Sequence, residues 1–344
     1  MLTKIIPEEK IIKAKDLIND AEHVAVIGHM SPDGDAVGSA LALYHFLHTM
    51  DKQTTIIFPD SIPAFLTWLP GAGNALNYEK DEHKPVIEKL LQTVDLIICV
   101  DFNEPKRIGK LYPLLASATA KKILIDHHPR LDDFTQLTIS HPEIVATAEL
   151  VFRLICRMGY FSNLNHYCAE AIYTGMMTDT GGFTFNSNHP EIYHIIFELL
   201  KKGIDKDKIY NNVYNVFSEQ RMRLMGYLLS DKMKIYPQYR TAIISLSLAE
   251  QKKYSFQKGD AEGFVNIPLS IKGIVFSIFI KEEKDKINIS FRSQGNFPVN
   301  NFAMKHFEGG GHKNAAGGES VASLEEIHTQ MEKLLPLYKN ELNE

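Results

Sequence analysis

The stretch "VIGHMSPDGDAVGSALAL" (residues 26–43) decides the fold, because its character changes in the middle. It begins as a short apolar run typical of a buried strand and ends with the spacing of an apolar helix. The "SPDGD" between them has the composition of a tight turn and a helix N-cap. His29, Asp33 and Asp35 lie in this connection. The stretch therefore predicts the start of a βαβ unit, with an imidazole and two carboxylates at its turn.

The same alternation continues along the first half of the chain. Short apolar runs predict strands at residues 23–29, 53–58, 95–101 and 121–128. Helical spacing predicts helices at residues 8–21, 35–50, 85–94, 147–160, 165–179 and 189–204. Strands that alternate with helices are typical of a parallel sheet covered on both faces. We expect an α/β domain with a doubly wound parallel sheet.

A change in pattern predicts a second domain, and 344 residues are more than one core usually serves. Strands are predicted at residues 239–248, 273–283 and 286–295, before a last helix at 324–342. We expect a catalytic domain at 1–200, a helical linker at 201–230 with a helix at 218–233, and a smaller α/β domain at 231–344. The active site is expected in the cleft between the two domains.

The composition limits the cellular compartment and the classes of binding partner that we expect for this chain. No apolar run approaches the length of a membrane span, and the N-terminus lacks the apolar segment of a signal peptide. The three cysteines form no CxxC pair, which is typical of reduced cytoplasmic thiols. The net charge of −5 argues against binding to long duplex nucleic acid. We expect a cytoplasmic protein with no membrane partner.

Charge is divided unevenly between the halves. Residues 201–344 carry a net charge of +4, so residues 1–200 carry −9. An acidic half beside a mildly basic half suits a cation site in the first domain and an anion-binding surface in the second. Chance variation explains the division equally well.

Polar side chains follow three predicted strands at the points where the strands end. They are His29 with Asp33 and Asp35, then Asp101, and finally Asp126, His127 and His128. Ligands bind beyond the carboxyl ends of the strands in an open parallel sheet, so these groups are expected in one crevice. Asp179 ends a predicted helix before the turn "TGGF", which could direct it to the same place.

Such a group of carboxylates needs a partner of opposite charge, because the carboxylates repel one another. Mixed oxygen and nitrogen ligands suit Mn²⁺, with Fe, Co or Zn as alternatives. More ligands are present than one ion needs, which favours two ions that share a carboxylate and suits phosphoryl chemistry. Each piece also has an ordinary explanation, since Asp35 and Asp101 could be helix or strand caps. The triplet at residues 126–128 is harder to explain by packing alone.

Five motifs in order resemble the DHH phosphoesterase superfamily. They read "GHMSPDGDAVGS", "DLIICVDFNEPKRIG", "ILIDHHP", "YTGMMTDTGGFTF" and "GGGHKNAAGG", the last being typical of the DHH-associated C-terminal domain. The resemblance spans roughly residues 20 to 320. Length and layout are similar to the NrnA-like branch of stand-alone oligoribonucleases and pAp phosphatases.

The resemblance implies two Mn²⁺ ions, with Mg²⁺, Co²⁺ or Fe²⁺ as alternatives. One would be held by His29, Asp33 and Asp101, and the other by Asp35, Asp101, His127 and Asp179. His128 would bind the phosphate or protonate the leaving group, and Asp126 would orient a neighbouring side chain.

The resemblance also implies substrate-binding residues in the second domain: Arg292, Gly309, Gly310, Gly311 and His312. Glycines allow close backbone approach to an anion, and an arginine can contact a phosphate with two N–H groups. A glycine hairpin beside a solvated arginine is the alternative. Arg107 is a weaker candidate with a structural alternative.

The predicted function is hydrolysis of short RNA, linear dinucleotides such as pApA, and 3′-phosphoadenosine 5′-phosphate (pAp). The alternatives are a cyclic-dinucleotide phosphodiesterase, an inorganic pyrophosphatase and a non-catalytic RNA-binding module. The sequence leaves open whether the chain forms a homodimer.

Overall fold

A computed structural model describes residues 3–129, 132, 134–257 and 259–343. The chain divides into two compact units, Met1–Val216 and Phe217–Glu344. The division lies inside the segment predicted as a helical linker. In the part of the chain that is described, no helix is both long and apolar enough to cross a bilayer.

The first unit is built on a six-stranded parallel sheet. Its strands are β1 (His23–Ile27), β2 (Gln53–Phe58), β3 (Leu76–Asn77), β4 (Leu96–Val100), β5 (Lys121–Asp126) and β6 (Leu137–Ser140). They lie in the order β3-β2-β1-β4-β5-β6. The chain thus leaves β1 toward one edge of the sheet and returns at β4 to build the other edge.

Helices cover both faces of this sheet. They are α1 (Glu8–Asp20), α2 (Gly34–His48), α3 (Lys84–Leu91), α4 (Tyr112–Ser117), α5 (Thr147–Arg157), α6 (His166–Asp179), α7 (Pro190–Lys201) and α8 (Lys206–Tyr214). Short 3₁₀ turns include Pro105–Leu111, which follows β4. In β1, Val24 and Val26 belong to the core that includes α2, α5 and α6, whereas Ala25 and Ile27 belong to a separate core with α3 and α4. The prediction of a doubly wound α/β domain is confirmed.

Close packing of α2 against α6 prepares the functional site. A β-carbon at Gly38 would lie 2.6 Å from the carbonyl oxygen of Ala171, so only glycine permits this approach. Likewise, a β-carbon at Gly175 would lie 3.0 Å from Oδ1 of Asp35. The two helices therefore bring the beginning of α2 near the end of α6, where Asp179 lies.

The second unit has a mixed six-stranded sheet in the order β11-β12-β10-β9-β8-β7. Its strands are β7 (Lys234–Tyr236), β8 (Thr241–Leu246), β9 (Phe276–Glu282), β10 (Ile287–Ser293), β11 (Gly310–His312) and β12 (Ala315–Ser320). The helices are α9 (Glu219–Tyr227), α10 (Leu248–Lys253), α11 (Val299–His306), α12 (Leu324–Leu334) and α13 (Lys339–Asn343). Phe276, Phe291 and Phe302 are fully buried in its core. The predicted smaller α/β domain is confirmed as a fold.

Two predicted helices are interrupted. The last helix, predicted over 324–342, ends at Leu334 and continues as a 3₁₀ turn, Leu335–Tyr338, before α13. Pro336 explains this interruption, because proline has no N–H to donate within a helix. The helix predicted at 218–233 is α9 followed by a π-helical turn, Leu228–Lys232. Several short elements were not predicted, among them β6, β12, α10 and α11, because runs this short show little periodicity.

Candidate metal centre

The predicted polar residues of the first unit gather at the carboxyl ends of three adjacent strands. His29 lies two residues beyond β1, Asp101 directly follows β4, and Asp126 is the last residue of β5. The order of the sheet reverses between β1 and β4, which is the position where open α/β sheets form a ligand crevice.

One side of the crevice holds His29, Asp33 and Asp101. The Nε2 atom of His29 lies 3.4 Å from Oδ2 of Asp101 and 3.9 Å from Oδ1 of Asp33. The Nδ1 atom of the same ring lies 2.7 Å from the carbonyl oxygen of Met30. A carbonyl only accepts hydrogen bonds, so Nδ1 carries the proton and Nε2 of the neutral ring has a lone pair toward the carboxylates.

The other side holds Asp35, Asp101, His127 and Asp179. The Nε2 atom of His127 lies 3.7 Å from Oδ1 of Asp101, 3.8 Å from Oδ2 of Asp35 and 3.5 Å from Oδ2 of Asp179. Its Nδ1 atom lies 3.0 Å from the carbonyl oxygen of Ile144, which selects the same tautomer as in His29. Asp101 thus faces His29 with one carboxylate oxygen and His127 with the other.

The backbone of Asp101 has a φ of 63°, in the left-handed region. Non-glycine residues adopt this region rarely and at a cost, and such residues cluster at functional sites. The Asp101 N–H donates to the carbonyl oxygen of Ile125 at 3.0 Å, which holds the residue at the end of the strand ladder.

Asp33, not Asp35, is the N-cap of α2. Its Oδ1 atom accepts hydrogen bonds from the N–H groups of Asp35 and Ala36, each at 3.0 Å. The suggestion that Asp35 caps the helix directly after the turn is therefore wrong. Asp35 is 2% exposed and lies inside the crevice.

Charge repulsion among the buried carboxylates is strong. Burial raises the pKa of Asp35 well above its ordinary value, and the charges of Asp101 and Asp179 raise it further. Desolvation raises the pKa of Asp179 to about 7, against the lowering effect of His127. Burial would also raise the pKa of Asp101, but His29, His128 and His127 hold it below the usual range. A divalent cation would favour the ionised form of every one of these carboxylates.

The donor set fits divalent cations for a second reason. Nε2 of His29 is buried, and no described residue gives it a hydrogen bond of good geometry, because its contact with Asp101 is long. Buried polar atoms normally have a partner, and a neutral imidazole nitrogen among carboxylates is a common metal ligand. Atoms of His29, Asp33 and Asp101, and separately of Asp35, Asp101 and His127, lie within 4.8 Å of one another.

Asp126 contacts His128 and is fully buried. Its Oδ1 atom lies 2.9 Å from Nδ1 of His128, and its Oδ2 atom accepts the backbone N–H of His128 at 3.0 Å. The His128 side chain is 15% exposed. This is the arrangement of a carboxylate that orients an imidazole at the edge of the crevice.

Thr147 contacts two of the crevice carboxylates and was not predicted. Its N–H donates to Oδ2 of Asp35 at 2.6 Å, and its hydroxyl donates to Oδ1 of Asp101 at 2.9 Å. The only sequence signal is a threonine at the start of a predicted helix.

Two further residues support the loop between β1 and α2. Oδ1 of Asp60 accepts the N–H of Ser31 at 2.7 Å, and Ser31 has a φ of 50°. The carbonyl oxygen of Arg107 accepts the N–H of Met30 at 2.8 Å. Asp60 gave no signal in the sequence, whereas Arg107 was a weak candidate.

The predicted residues of the second unit lie on β10 and on or next to the edge strand β11. Arg292 lies on β10 opposite Ala315, and its Nη1 atom donates to the carbonyl oxygen of Phe291 at 2.9 Å. Gly310, Gly311 and His312 form β11, a short exposed strand paired with β12.

Each glycine of this hairpin has its own surroundings. A β-carbon at Gly309 would overlap the carbonyl oxygen of Gly317, and one at Gly311 would overlap the backbone at Ala315. Among the residues that the structure describes, none has an atom within 4 Å of a β-carbon at Gly310. Strand pairing thus explains two of the three glycines, and Gly310 alone has no such explanation.

Both units of the chain are similar to known protein domains. Residues 23–176 match the DHH family, N-terminal domain, and residues 241–342 match the DHHA1 domain. A protein of Mycoplasma pneumoniae, the MG371 homologue, is 31% identical over 297 residues, covering 84% of this chain and 83% of that protein. The chain belongs to the DHH family. The resemblance inferred from the five motifs is confirmed, and with it the prediction of a hydrolytic enzyme.

Two further relatives extend over most of this DHH-family chain. The bifunctional oligoribonuclease and PAP phosphatase NrnA of Thermus thermophilus is 29% identical over 294 residues, covering 86% of this chain and 83% of that protein. The crystal structure of an exopolyphosphatase-related protein from Bacteroides fragilis is 52% identical, covers 100% of both chains and has a TM-score of 0.96. Both domains of the DHH-family chain therefore have relatives of matching length.

Proposed function

We propose that the chain is a phosphoesterase that depends on two divalent cations and hydrolyses short oligoribonucleotides, linear dinucleotides such as pApA, and pAp. The observation that carries this proposal is the placement of Asp101, whose two carboxylate oxygens face His29 and His127. The name of the Thermus thermophilus relative, an oligoribonuclease and PAP phosphatase, supports the choice of substrates.

The ligands of the two cations are assigned from the two sides of the crevice. His29, Asp33 and Asp101 would hold one cation, and Asp35, Asp101, His127 and Asp179 would hold the other. Mn²⁺ suits this mixture of carboxylates and imidazoles, with Mg²⁺, Co²⁺ or Fe²⁺ as alternatives. When bound, such a pair of cations activates water and neutralises charge on the phosphate.

His128 is assigned to the phosphate or to the leaving oxygen. Its Nδ1 atom lies 2.9 Å from a carboxylate oxygen of Asp126, which only accepts when ionised, so Nδ1 carries a proton. We assign Nε2 of His128 to the transfer of a proton to the leaving oxygen. Asp126 would fix the orientation of the ring and stabilise its protonated form.

The second unit would bind the rest of the nucleotide. Arg292 would contact a phosphate or a base, and the backbone at Gly310 would approach an anion, with His312 beside it. Gly309 and Gly311 would act indirectly, by allowing the pairing of β11 with β12.

One comparison of substrates tests this proposal. The purified protein with Mn²⁺ is assayed on pAp, pApA, cyclic-di-AMP, RNA of two to twenty nucleotides, pyrophosphate and polyphosphate. We expect the fastest hydrolysis on pAp and the shortest RNAs, with rates falling as length increases. Faster hydrolysis of cyclic-di-AMP, or of pyrophosphate or polyphosphate, would contradict the proposed substrates.

A binding module without catalysis is the alternative from another class. It predicts that the wild-type protein hydrolyses none of these substrates and that Asp101→Ala binds short RNA as tightly as the wild type does.

A further inference from the structure

Thr147 is the first residue of α5 and is fully buried. It contacts two carboxylates that reach the crevice from different elements, Asp35 on α2 and Asp101 after β4. The backbone N–H of Thr147 binds the first, and the side-chain hydroxyl binds the second. A single residue therefore links both acidic groups to one rigid helix.

The first turn of α5 depends on this arrangement. The N–H groups of a helix's first turn have no partner within the helix. The N-cap residue of α5 is Ala146, which has no side chain that could accept them. Asp35 accepts instead, with Oδ2 at 2.6 Å from the Thr147 nitrogen and Oδ1 at 2.8 Å from the Ala148 nitrogen. The carboxylate of Asp35 is thereby fixed against the positive end of α5.

The hydroxyl of Thr147 donates to a side-chain carboxylate, unlike the hydroxyls of two other buried threonines. Thr174 and Thr180 in and after α6 are also buried, and their hydroxyls donate to main-chain carbonyls one turn earlier, Glu170 and Met176. Such bonds are the usual local choice for a threonine in a helix. Thr147 has no preceding turn of α5, and its hydroxyl donates to Asp101 across 46 residues of sequence.

We propose that Thr147 is a positioning residue, which fixes Asp101 and Asp35 relative to each other and so sets the geometry in which the crevice binds cations. This inference rests on the proposed function, because it assigns Asp101 and Asp35 to the cation site. Thr147 itself contacts neither cation nor substrate in this assignment.

Thr147→Val tests the hydroxyl alone, because valine keeps the shape of the side chain and the backbone N–H groups that bind Asp35. Thr147→Ser restores the hydroxyl. Thr174→Val is the matched control, since it removes an equally buried threonine hydroxyl that donates to a main-chain carbonyl. Cation binding is measured by titration calorimetry with Mn²⁺ after chelation, and folding is measured by the melting temperature without metal.

We expect Thr147→Val to weaken Mn²⁺ binding about 10- to 100-fold, the usual effect of losing a partner that orients a metal ligand. The Mn²⁺ affinities of Thr147→Ser and Thr174→Val should stay within about twofold of the wild-type value. In the pAp assay, kcat of Thr147→Val should fall while KM changes little. Equal Mn²⁺ affinities for Thr147→Val and Thr174→Val would overturn the positioning role.

Two other outcomes separate this inference from the proposed function. A wild-type protein that binds Mn²⁺ but hydrolyses no phosphoester would overturn the proposed function, while the calorimetry would still decide the role of Thr147. A wild-type protein that binds no divalent cation would overturn both. If Thr147→Val does not fold, Thr147→Ala removes the same hydroxyl and is judged by the same comparison.

Discussion

Asp126 and His128 are joined by two hydrogen bonds, one to the ring and one to the backbone of the histidine. Asp126 Oδ1 lies 2.9 Å from the ring Nδ1, and Oδ2 accepts the backbone N–H at 3.0 Å. Because Asp126 is the last residue of β5 and is fully buried, the sheet itself holds the carboxylate in place. His128 therefore has both its position and its tautomer fixed by one side chain.

Asp126→Asn should lower kcat about 10- to 100-fold, as for other outer partners of site residues. The neutral amide stabilises a protonated imidazole less than the carboxylate does, and its NH₂ group opposes one of the two donors. Mn²⁺ affinity should change little, since the proposed ligands are intact. Asp126→Asn combined with His128→Ala should be no slower than His128→Ala alone, and additive effects would contradict the coupling.

Asp101→Asn should abolish turnover while the protein stays folded. Asparagine replaces one of the two oxygens that face His29 and His127 with an NH₂ group, which cannot bind a cation. We expect kcat to fall by more than about 100-fold, which exceeds the usual effect of losing a residue that only orients a metal ligand. The number of Mn²⁺ ions bound per chain, measured by titration, should also fall. Circular dichroism checks the fold. A variant with near-normal kcat at saturating Mn²⁺ would show that Asp101 does not bridge the two cations.

Gly310→Ala should raise KM for pAp several-fold without lowering the melting temperature. A β-carbon at Gly310 meets no atom of the described residues within 4 Å, so we expect its cost to come from a ligand that approaches the backbone. Gly309→Ala is the contrasting control, because its β-carbon would overlap the carbonyl oxygen of Gly317 and separate the strands. That variant should lose stability first. An unchanged KM for Gly310→Ala would remove this backbone from the proposed binding surface.

Arg292→Ala should raise KM for pAp about 10-fold or more and leave kcat within about threefold, since a hydrogen bond to a charged group contributes about 1.5–3 kcal/mol. Arg292→Lys keeps the charge but loses the paired N–H groups, so it should recover only part of the affinity. Arg223→Ala is a suitable control, because Arg223 is an exposed arginine of the same unit that pairs with Glu219. A fall in kcat alone would contradict a binding role for Arg292.

The sheet and most of the crevice could be predicted because both follow from local patterns. Apolar runs identify buried strands, and His29, Asp101 and Asp126 lie at or just beyond strand ends, where parallel strands bring them together. Thr147 could not be predicted, because its partner Asp35 lies 112 residues away and the bond depends on how α5 packs on α2. The need for Gly309 follows from pairing across the hairpin, which residue spacing does not reveal. Asp60 supports Ser31 through a contact that is equally remote from any motif.

A network of ion pairs outside the crevice makes the free energy of unfolding depend on pH. Glu191, in the first turn of α7, accepts hydrogen bonds from Arg153 at 2.7 Å and from the backbone and hydroxyl of Thr3. Burial would raise the pKa of Glu191, but the bonds from Thr3 and Arg153 lower it to about 2. The lowered pKa means that the folded state favours the ionised form. The ionised Glu191 carboxylate therefore contributes fully to stability at pH values above 4.5, the ordinary pKa of a glutamate. This contribution is lost as the pH falls toward 2.

Glu191→Gln should accordingly lower the free energy of unfolding at pH 7, and its difference from the wild type should shrink as the pH falls below 4.5. Urea unfolding at pH 7, 4.5 and 3 measures this difference directly. Glu8→Gln removes an exposed carboxylate that pairs with Arg157 in the same unit, so it should cost little at any of these values. A difference between Glu191→Gln and the wild type that is constant with pH would mean that the carboxylate acts through packing rather than through its charge.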